Sequence, residues 1–453
     1  MPRLERGLFI FGVAVLSFGY GFATYAWDWF PKYHLKRGWD NVKKIDEPPI
    51  DLYEHTFNQS GWRPRRPDNM ESGMTLVTSS WKKKGEWKIG LKLFDSRGTL
   101  VHEWLVNNDS LFPRGLWRGR MGSRDIHGSL LLPDGDVVVN IPYFGMARLN
   151  SCSDTLWTLP ERNHHSISKG QNGTFWVPGV SQERRAKSDQ YPEGFPGLDG
   201  KKVWLDRILK VGGEGEVLRD INVLDVLYEN GLERYFPKTL GGKRPTPKKI
   251  PPDLTHLNDV EPLDSSLAQE YPRFEAGDLL VSLRSSSLVF VFDPTTRKVK
   301  WHASQPFTYQ HDPDFVGNGW IGVFDNNYDL TAFDTPSKRG TMLGGNRVVG
   351  LQPHADSTEV RFPTAHSERV YTDVRGKWQK LENGNMLLTE ANAGRAVEVD
   401  SEGRIVWEWI HRPTQEGKVP SVSKVTRYNL SREEVADWPC TSVQSRSRSS
   451  GRE

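Results

Sequence analysis

Cysteine is nearly absent: two in 453 residues, Cys152 and Cys440. Two thiols that far apart match no zinc-type spacing and no small disulfide framework. A single long-range bridge is the one pairing left open. An excess of one charge is also missing. Lys and Arg total 60, Asp and Glu 57, and the formal charge is +3. No basic stripe with interleaved aromatics stands out, which excludes nucleic acid as an implied partner. Long helical periodicity is scarce as well. The best helical stretch is DINVLDVLYENGLERYF, residues 220–236. Long apolar runs are limited to one, GLFIFGVAVLSFGYGFATYAW at 7–27.

That run carries no charge and has about the length that spans hydrocarbon as a helix. Arg3 and Arg6 precede it, and Trp27, Trp29 and Phe30 suit an interfacial belt. The expectation is an uncleaved single-pass anchor over 1–27, with the body on the extracytoplasmic side. A cleaved signal peptide is the alternative, but its apolar core would be shorter.

What is plentiful is glycine, proline and tryptophan, at 42, 29 and 17 residues. Many turns and large rings favour short strands around an aromatic core. The turns recur in a pattern. DIHGSLLLPDGDVVV, NHHSISKGQNGTFWV and YQHDPDFVGNGWIGVFD each place a histidine eight residues before a glycine. The pairs are His127 and Gly135, His165 and Gly173, His311 and Gly319. A fourth unit begins THLNDVEPL at His256 and reaches its turn at Gly277 after an insertion. A fifth has Gly376 in the histidine's place, eight before Gly384. Behind the turns come SSSLVFVFD and AGRAVEVD, then RKVKWHA and GRIVWEW.

Each unit thus reads as four short strands. Repeats of this kind stack around an axis to bury faces that one unit cannot bury alone. The predicted fold class is all-β, a six-bladed β-propeller with an N-terminal transmembrane helix. Units start near residues 73, 127, 165, 256, 311 and 376, and the first borrows a strand from the chain's other end. The predicted organisation is an anchor at 1–27, a linker and extension at 28–72, a propeller at 73–430 with an insertion around 181–252, and a disordered tail at 441–453.

A residue just before the innermost strand of a blade sits at one mouth of the channel. His127, His165, His256 and His311 should therefore converge. Clustered imidazoles suit oxyanion binding, metal binding or nucleophilic catalysis. A metal would need ligands from separate blades, since the short zinc spacing is absent, and no metal or cofactor is assigned. His164 should face away from its neighbour. His34, His55, His102, His302, His354 and His366 have no repeat context and read as surface or packing residues. Arg284 follows the strand led by His256 and is the candidate cation, or else an inter-blade salt bridge. Asn258 and Gln310 are candidate hydrogen-bond donors to an oxyanion. Asp312 and Asp314 are expected to orient His311, and Asp259 to orient His256.

From THLNDVEPL through GDLLVSLRSSSLVFVFD, YQHDPDFVGNGWIGVFDN and GKWQKLENGNMLLTEANAGRAVEVD, the chain resembles the arylsulfotransferase family over residues 73–430. The family is the nucleotide-independent kind. The resemblance implies a propeller outside the cytoplasm that moves a sulfuryl group from an aryl sulfate donor to a phenolic acceptor through a sulfohistidine. His256 matches the family histidine in the H-x-N segment, and His311 the one in the Gln-His segment; both would bind the sulfuryl group or move protons. Two family features are missing. VFDNNYDLTAFD lacks the family's arginine, and no histidine lies between Gly376 and Ile410, where the family's nucleophile falls. His127 or His165 would then supply the nucleophile. The alternative is a non-catalytic propeller that binds a partner protein or a small anion.

Overall fold

The computed structural model describes residues 3–26, 50–83, 85–112, 125–236, 251–328 and 344–440. Residues 28–49 of the expected linker, residues 237–250 and the 441–453 tail lie outside them. Two units separate, residues 1–49 and 50–453.

In the first unit the apolar run forms a helix, Arg3–Ala26. Its large side chains, Phe9, Phe11, Leu16 and Phe18 among them, are exposed. Among the described residues no helix is long and apolar enough to cross a membrane. The predicted transmembrane span is therefore unsupported, although a helix does form there.

The second unit is all β and has six sheets of propeller type. Blade 2 runs Gly128–Leu131, Val137–Ile141, Gly145–Leu149 and Thr155–Leu159 from the inside outward. Blades 3, 4, 5 and 6 have innermost strands Ser168–Lys169, Leu257–Pro262, His311–Phe315 and Lys377–Lys380. Middle strands bury both faces against neighbouring blades, so they read as continuous apolar runs rather than alternations. Val137–Ile141, Leu279–Leu283 and Leu288–Phe292 are buried at every position. Outer strands meet water, and Thr155–Leu159 is mostly exposed. The recurrent glycine is the turn between the first two strands. Gly135, Gly173, Gly319 and Gly384 have φ of 86°, 71°, 73° and 89°, a region that penalises a Cβ.

The ring closes by exchange of termini. Blade 1 takes its inner strand, Val422–Tyr428, from the C-terminal end, with Val425 opposite Val77 of Met74–Lys83. Blade 6 gains a fifth strand, Gly61–Pro64, from the N-terminal side. A disulfide joins Cys152 behind blade 2 to Cys440 beyond the last helix.

Two boundaries differ from expectation. Residues 181–252 are not one insertion, because they contain the third and fourth strands of blade 3, Asp206–Val211 and Val217–Asn222. A loop of 181–205 precedes those strands, and the helix Val223–Glu229 follows them, capped by the Asn222 side chain. The region 28–72 also contributes strands to the ring rather than only linking to it.

Candidate active site

Local geometry brings the histidines together. His127 immediately precedes blade 2's inner strand, and its N–H bonds the Asn140 carbonyl at 3.0 Å. The His256 carbonyl accepts from Arg284 N at 3.1 Å, and His311 opens the inner strand of blade 5. His165 and His256 have φ of 57° and 53°, left-handed backbone that non-glycine residues adopt at some cost. Such strain concentrates at functional sites.

His165 is the centre of the cluster. Its ring centroid lies 5.3 Å from His127, 5.1 Å from His256 and 6.5 Å from His311. The four sequence-selected histidines therefore share one pore mouth. His164 joins them, contrary to expectation: its Nδ1 is 2.8 Å from His165 Nδ1. The opposed-face rule holds within a strand. Here His165 bends the backbone before the strand begins, so successive side chains need not oppose.

Tautomers follow from the neighbours. His164 holds a hydrogen bond to the Gly179 backbone that favours a ring N–H. With Nδ1 facing His165, that N–H falls on Nε2. His165 then donates from Nδ1 and keeps its lone pair on Nε2. His256 donates from Nδ1 to Asp253 Oδ2 at 2.5 Å. His311 donates from Nδ1 to Asn326 Oδ1 at 2.6 Å, with the Asn326 amide nitrogen itself committed to the Thr372 and Arg375 carbonyls. His127 Nε2 is buried with no described partner. Burial is the first cause that holds all five imidazoles neutral. It pushes His164 down to about 3 and the others below their ordinary value, with neighbouring imidazoles and arginines adding repulsion.

The orienting groups are not those expected. Asp253, three residues before His256, takes the role assigned to Asp259. Burial alone would raise its pKa, but the His256 contact lowers it. Asn326 takes the role assigned to Asp312 and Asp314. Asp312 instead pairs with Lys377 and accepts from Trp378 N at 2.8 Å. Asn258 and Gln310 have their amide nitrogens committed. Asn258 Nδ2 donates to the Gln310 carbonyl at 2.8 Å, and Gln310 Nε2 to Ser282 Oγ at 3.0 Å. Both tie blade 4 to blade 5.

Arg284 makes no salt bridge among the described residues, and its Nε is buried without an acceptor. It repels protons from both His256 and His311, so its charge is felt at the cluster. Its guanidinium lies 5.4 Å from the Tyr309 ring, which stacks on Tyr328 at 5.0 Å and 19°. Arg375 is the second cation there, missed by sequence reasoning. It is bound to Asp125, Asp51 and Ser421, so its charge is largely spent. Next to it, a Cβ on Gly376 would lie 2.2 Å from the Phe324 ring, so no histidine fits blade 6's equivalent position. Of the remaining histidines, His102 bonds the Ser151 carbonyl at 2.8 Å and His302 the Tyr235 hydroxyl at 3.1 Å, as packing residues.

Beneath the histidines the channel is charged, and Glu261, Asp312, Asp314 and Lys424 line a recess of about 400 Å³ there. Lys377 Nζ pairs with Asp312 and lies 3.7 Å from Asp259, while Lys424 Nζ donates to the Ser129 carbonyl at 3.3 Å. Glu261 and Asp314 share a hydrogen bond there. Burial pushes Glu261 up to about 8 and Asp314 well above the usual carboxylate range, each helped by the neighbouring acids.

A buried imidazole cluster beside Arg284, which makes no salt bridge among the described residues, defines a candidate anion-handling site on a six-bladed propeller. The arylsulfotransferase (ASST) family model matches residues 128–412, more than half of the chain, and the protein belongs to that family. No curated protein matches the sequence. Among solved structures, a Bacteroides caccae protein of unknown function is similar at 15% identity. It covers 78% of this chain and 98% of its own, with a TM-score of 0.46. A virginiamycin B lyase from Staphylococcus aureus shares 11% identity over 80% and 88% of the two chains, with a TM-score of 0.36. Neither likeness carries an argument about this site.

Proposed function

We propose that the chain transfers a sulfuryl group from an aryl sulfate to a phenol through a histidine. The convergence of His127, His256 and His311 on His165, within reach of the Arg284 charge, carries this reading. Family membership supports the substrate classes. The Tyr309 and Tyr328 stack offers a face for the aryl ring.

His165 is the proposed nucleophile, because its ring is central to the cluster and the contact of its Nδ1 with His164 leaves Nε2 as the lone-pair nitrogen. Attack forms an N–S bond as the S–O(aryl) bond breaks, and the aryloxide leaves with the bonding pair. Arg284 offsets charge on the sulfuryl oxygens and the departing oxygen. The new positive charge on His165 is shared through its Nδ1–H with His164. In the second half, the acceptor phenol gives its proton to His256 Nε2, and Asp253 stabilises the resulting imidazolium. The phenol oxygen attacks sulfur, the N–S bond breaks, and the pair returns to His165. His256 then releases its proton to solvent.

The test is 4-nitrophenyl sulfate with phenol as acceptor, in protein shown to be folded. Phenol-dependent nitrophenolate release supports the reading, and its absence contradicts it. A second reading, a non-catalytic anion-binding propeller, is favoured by the missing family arginine in VFDNNYDLTAFD and the missing histidine between Gly376 and Ile410. It predicts sulfate-ester binding without product.

We also infer an oxidising compartment outside the cytoplasm. The Cys152–Cys440 bridge supports it, since stable disulfides are rare where thiols are kept reduced. Alkylation of protein isolated without reductant tests this: labelled cysteines would contradict it.

A further inference from the structure

A second recess lies at the seam where blade 6 meets blade 1, away from the innermost strands that carry the histidines. It encloses about 530 Å³, within the usual range for small-ligand sites. Its wall is tryptophan. Trp62 pairs with Trp409 across the two outermost strands of blade 6. Trp81, on blade 1, sits 5.8 Å from Trp409, and Trp87 is carried by the adjacent strand, opposite Lys82. Trp62 is held in place by Gly98, where a Cβ would lie 2.3 Å from the indole.

The rim is cationic. Lys92 Nζ lies 4.4 Å over the Trp81 ring. Burial lowers its pKa, and its nearest carboxylate, Glu103, stands 3.9 Å away and is already bonded to Lys83. Lys82 and Arg412 also line the recess, and no Asp or Glu does among the described residues. Trp62 Nε1 is a buried N–H with no acceptor among the described residues. Flat indole faces, three cations and an unmet donor together call for a flat ring bearing an anionic oxygen group.

We propose that this seam recess binds a small aromatic anion, its ring against tryptophan and its sulfonate, sulfate or carboxylate on Lys92, Lys82 and Arg412. The site is separate from the histidine cluster and does not depend on catalysis there.

The experiment is calorimetric titration of the full chain with 2-naphthalenesulfonate, whose C–S bond offers no transferable sulfuryl ester. One saturable site is expected in the wild type and, undiminished, in Arg284→Met, which alters only the pore. Affinity should fall about tenfold or more in Lys92→Met and severalfold in the exposed Lys82→Ser. Uncharged 2-naphthalenemethanol should bind at least about tenfold more weakly than the sulfonate. The proposal is overturned if the wild type shows no saturable binding. It is equally overturned if Arg284→Met loses the site while Lys92→Met and Lys82→Ser keep it, or if the neutral probe binds as tightly. Unchanged thermal unfolding of Lys82→Ser separates lost binding from lost fold.

Discussion

The mouth of the described ring and the layer just inside it are built from neighbouring positions of the same blades and handle charge differently. At the mouth, residues at the starts of the inner strands present neutral imidazoles and an arginine that makes no salt bridge among the described residues. One step further in, Asp259 and Asp312 are matched by Lys377, and Glu261 and Asp314 share a proton. The inner layer offsets its charges largely within the ring, although Asp259 Oδ1 and Glu261 Oε2 keep no hydrogen-bond partner among the described residues. Neighbouring positions of the same inner strands therefore differ according to whether their partners come from within the ring.

The largest expected effect breaks the mouth alone. His165→Ala should lower kcat/KM for sulfuryl transfer by more than about 10³-fold, because it removes the bond-forming atom. Glu261→Gln, in the inner layer, should leave that rate unchanged. If both variants lose activity equally, the division between the layers is wrong.

Lys377→Met should destabilise the fold by about 3–5 kcal/mol, since it strands Asp312 and Asp259 without their cation. Denaturant unfolding measures this. Burial opposes the lysine's charge, and the two aspartates more than restore it. A near-neutral result would mean that the inner layer is not held by charge pairing.

Asp253→Asn should cost about 10²–10⁴-fold in kcat while leaving stability nearly unchanged. Its signature is a shifted pH–rate profile, because His256 loses the partner that supports its charged form. A loss in KM alone would argue that Asp253 only shapes the pocket.

The smallest effect concerns pH and has a different sign at each layer. The mouth histidines have folded pKa values below 6.5. The unfolded chain takes up their protons first, so their contribution to stability is present above about 6.5 and is lost as pH falls. Glu261 is held at about 8 and keeps its proton when folded. Its contribution is present below the ordinary carboxylate pKa and is lost as pH rises to about 8. Glu261→Gln should therefore flatten the alkaline limb of a Tm-against-pH curve and spare the acid limb.

Much of the fold was legible because closure demands repetition. The eight-residue step from His127 to Gly135, or from His311 to Gly319, marks a strand and its turn, and the circular arrangement follows. Blade 3 hid its outer strands because the loop at 181–205 interrupts the period before Asp206–Val211. Arg284 was readable, since it terminates the strand that pairs with His256's. Asp253, Asn326 and Arg375 were not. They lie in connections outside the repeated strands, and what places them is packing between blades rather than spacing along the chain. The Cys152–Cys440 bridge spans 288 residues and has no local signal at all. The apolar N-terminal run shows the converse: its composition fits a spanning helix, but the described helix does not meet that requirement.

The most direct measurement is a search for the covalent intermediate. Protein mixed with an aryl sulfate, without acceptor, is digested at alkaline pH and mapped by mass spectrometry. The account predicts one sulfuryl group on the peptide containing His165, formed with release of one phenol and discharged when acceptor is added. Turnover with no protein-bound sulfuryl group, or a group carried outside the five clustered histidines, would contradict it.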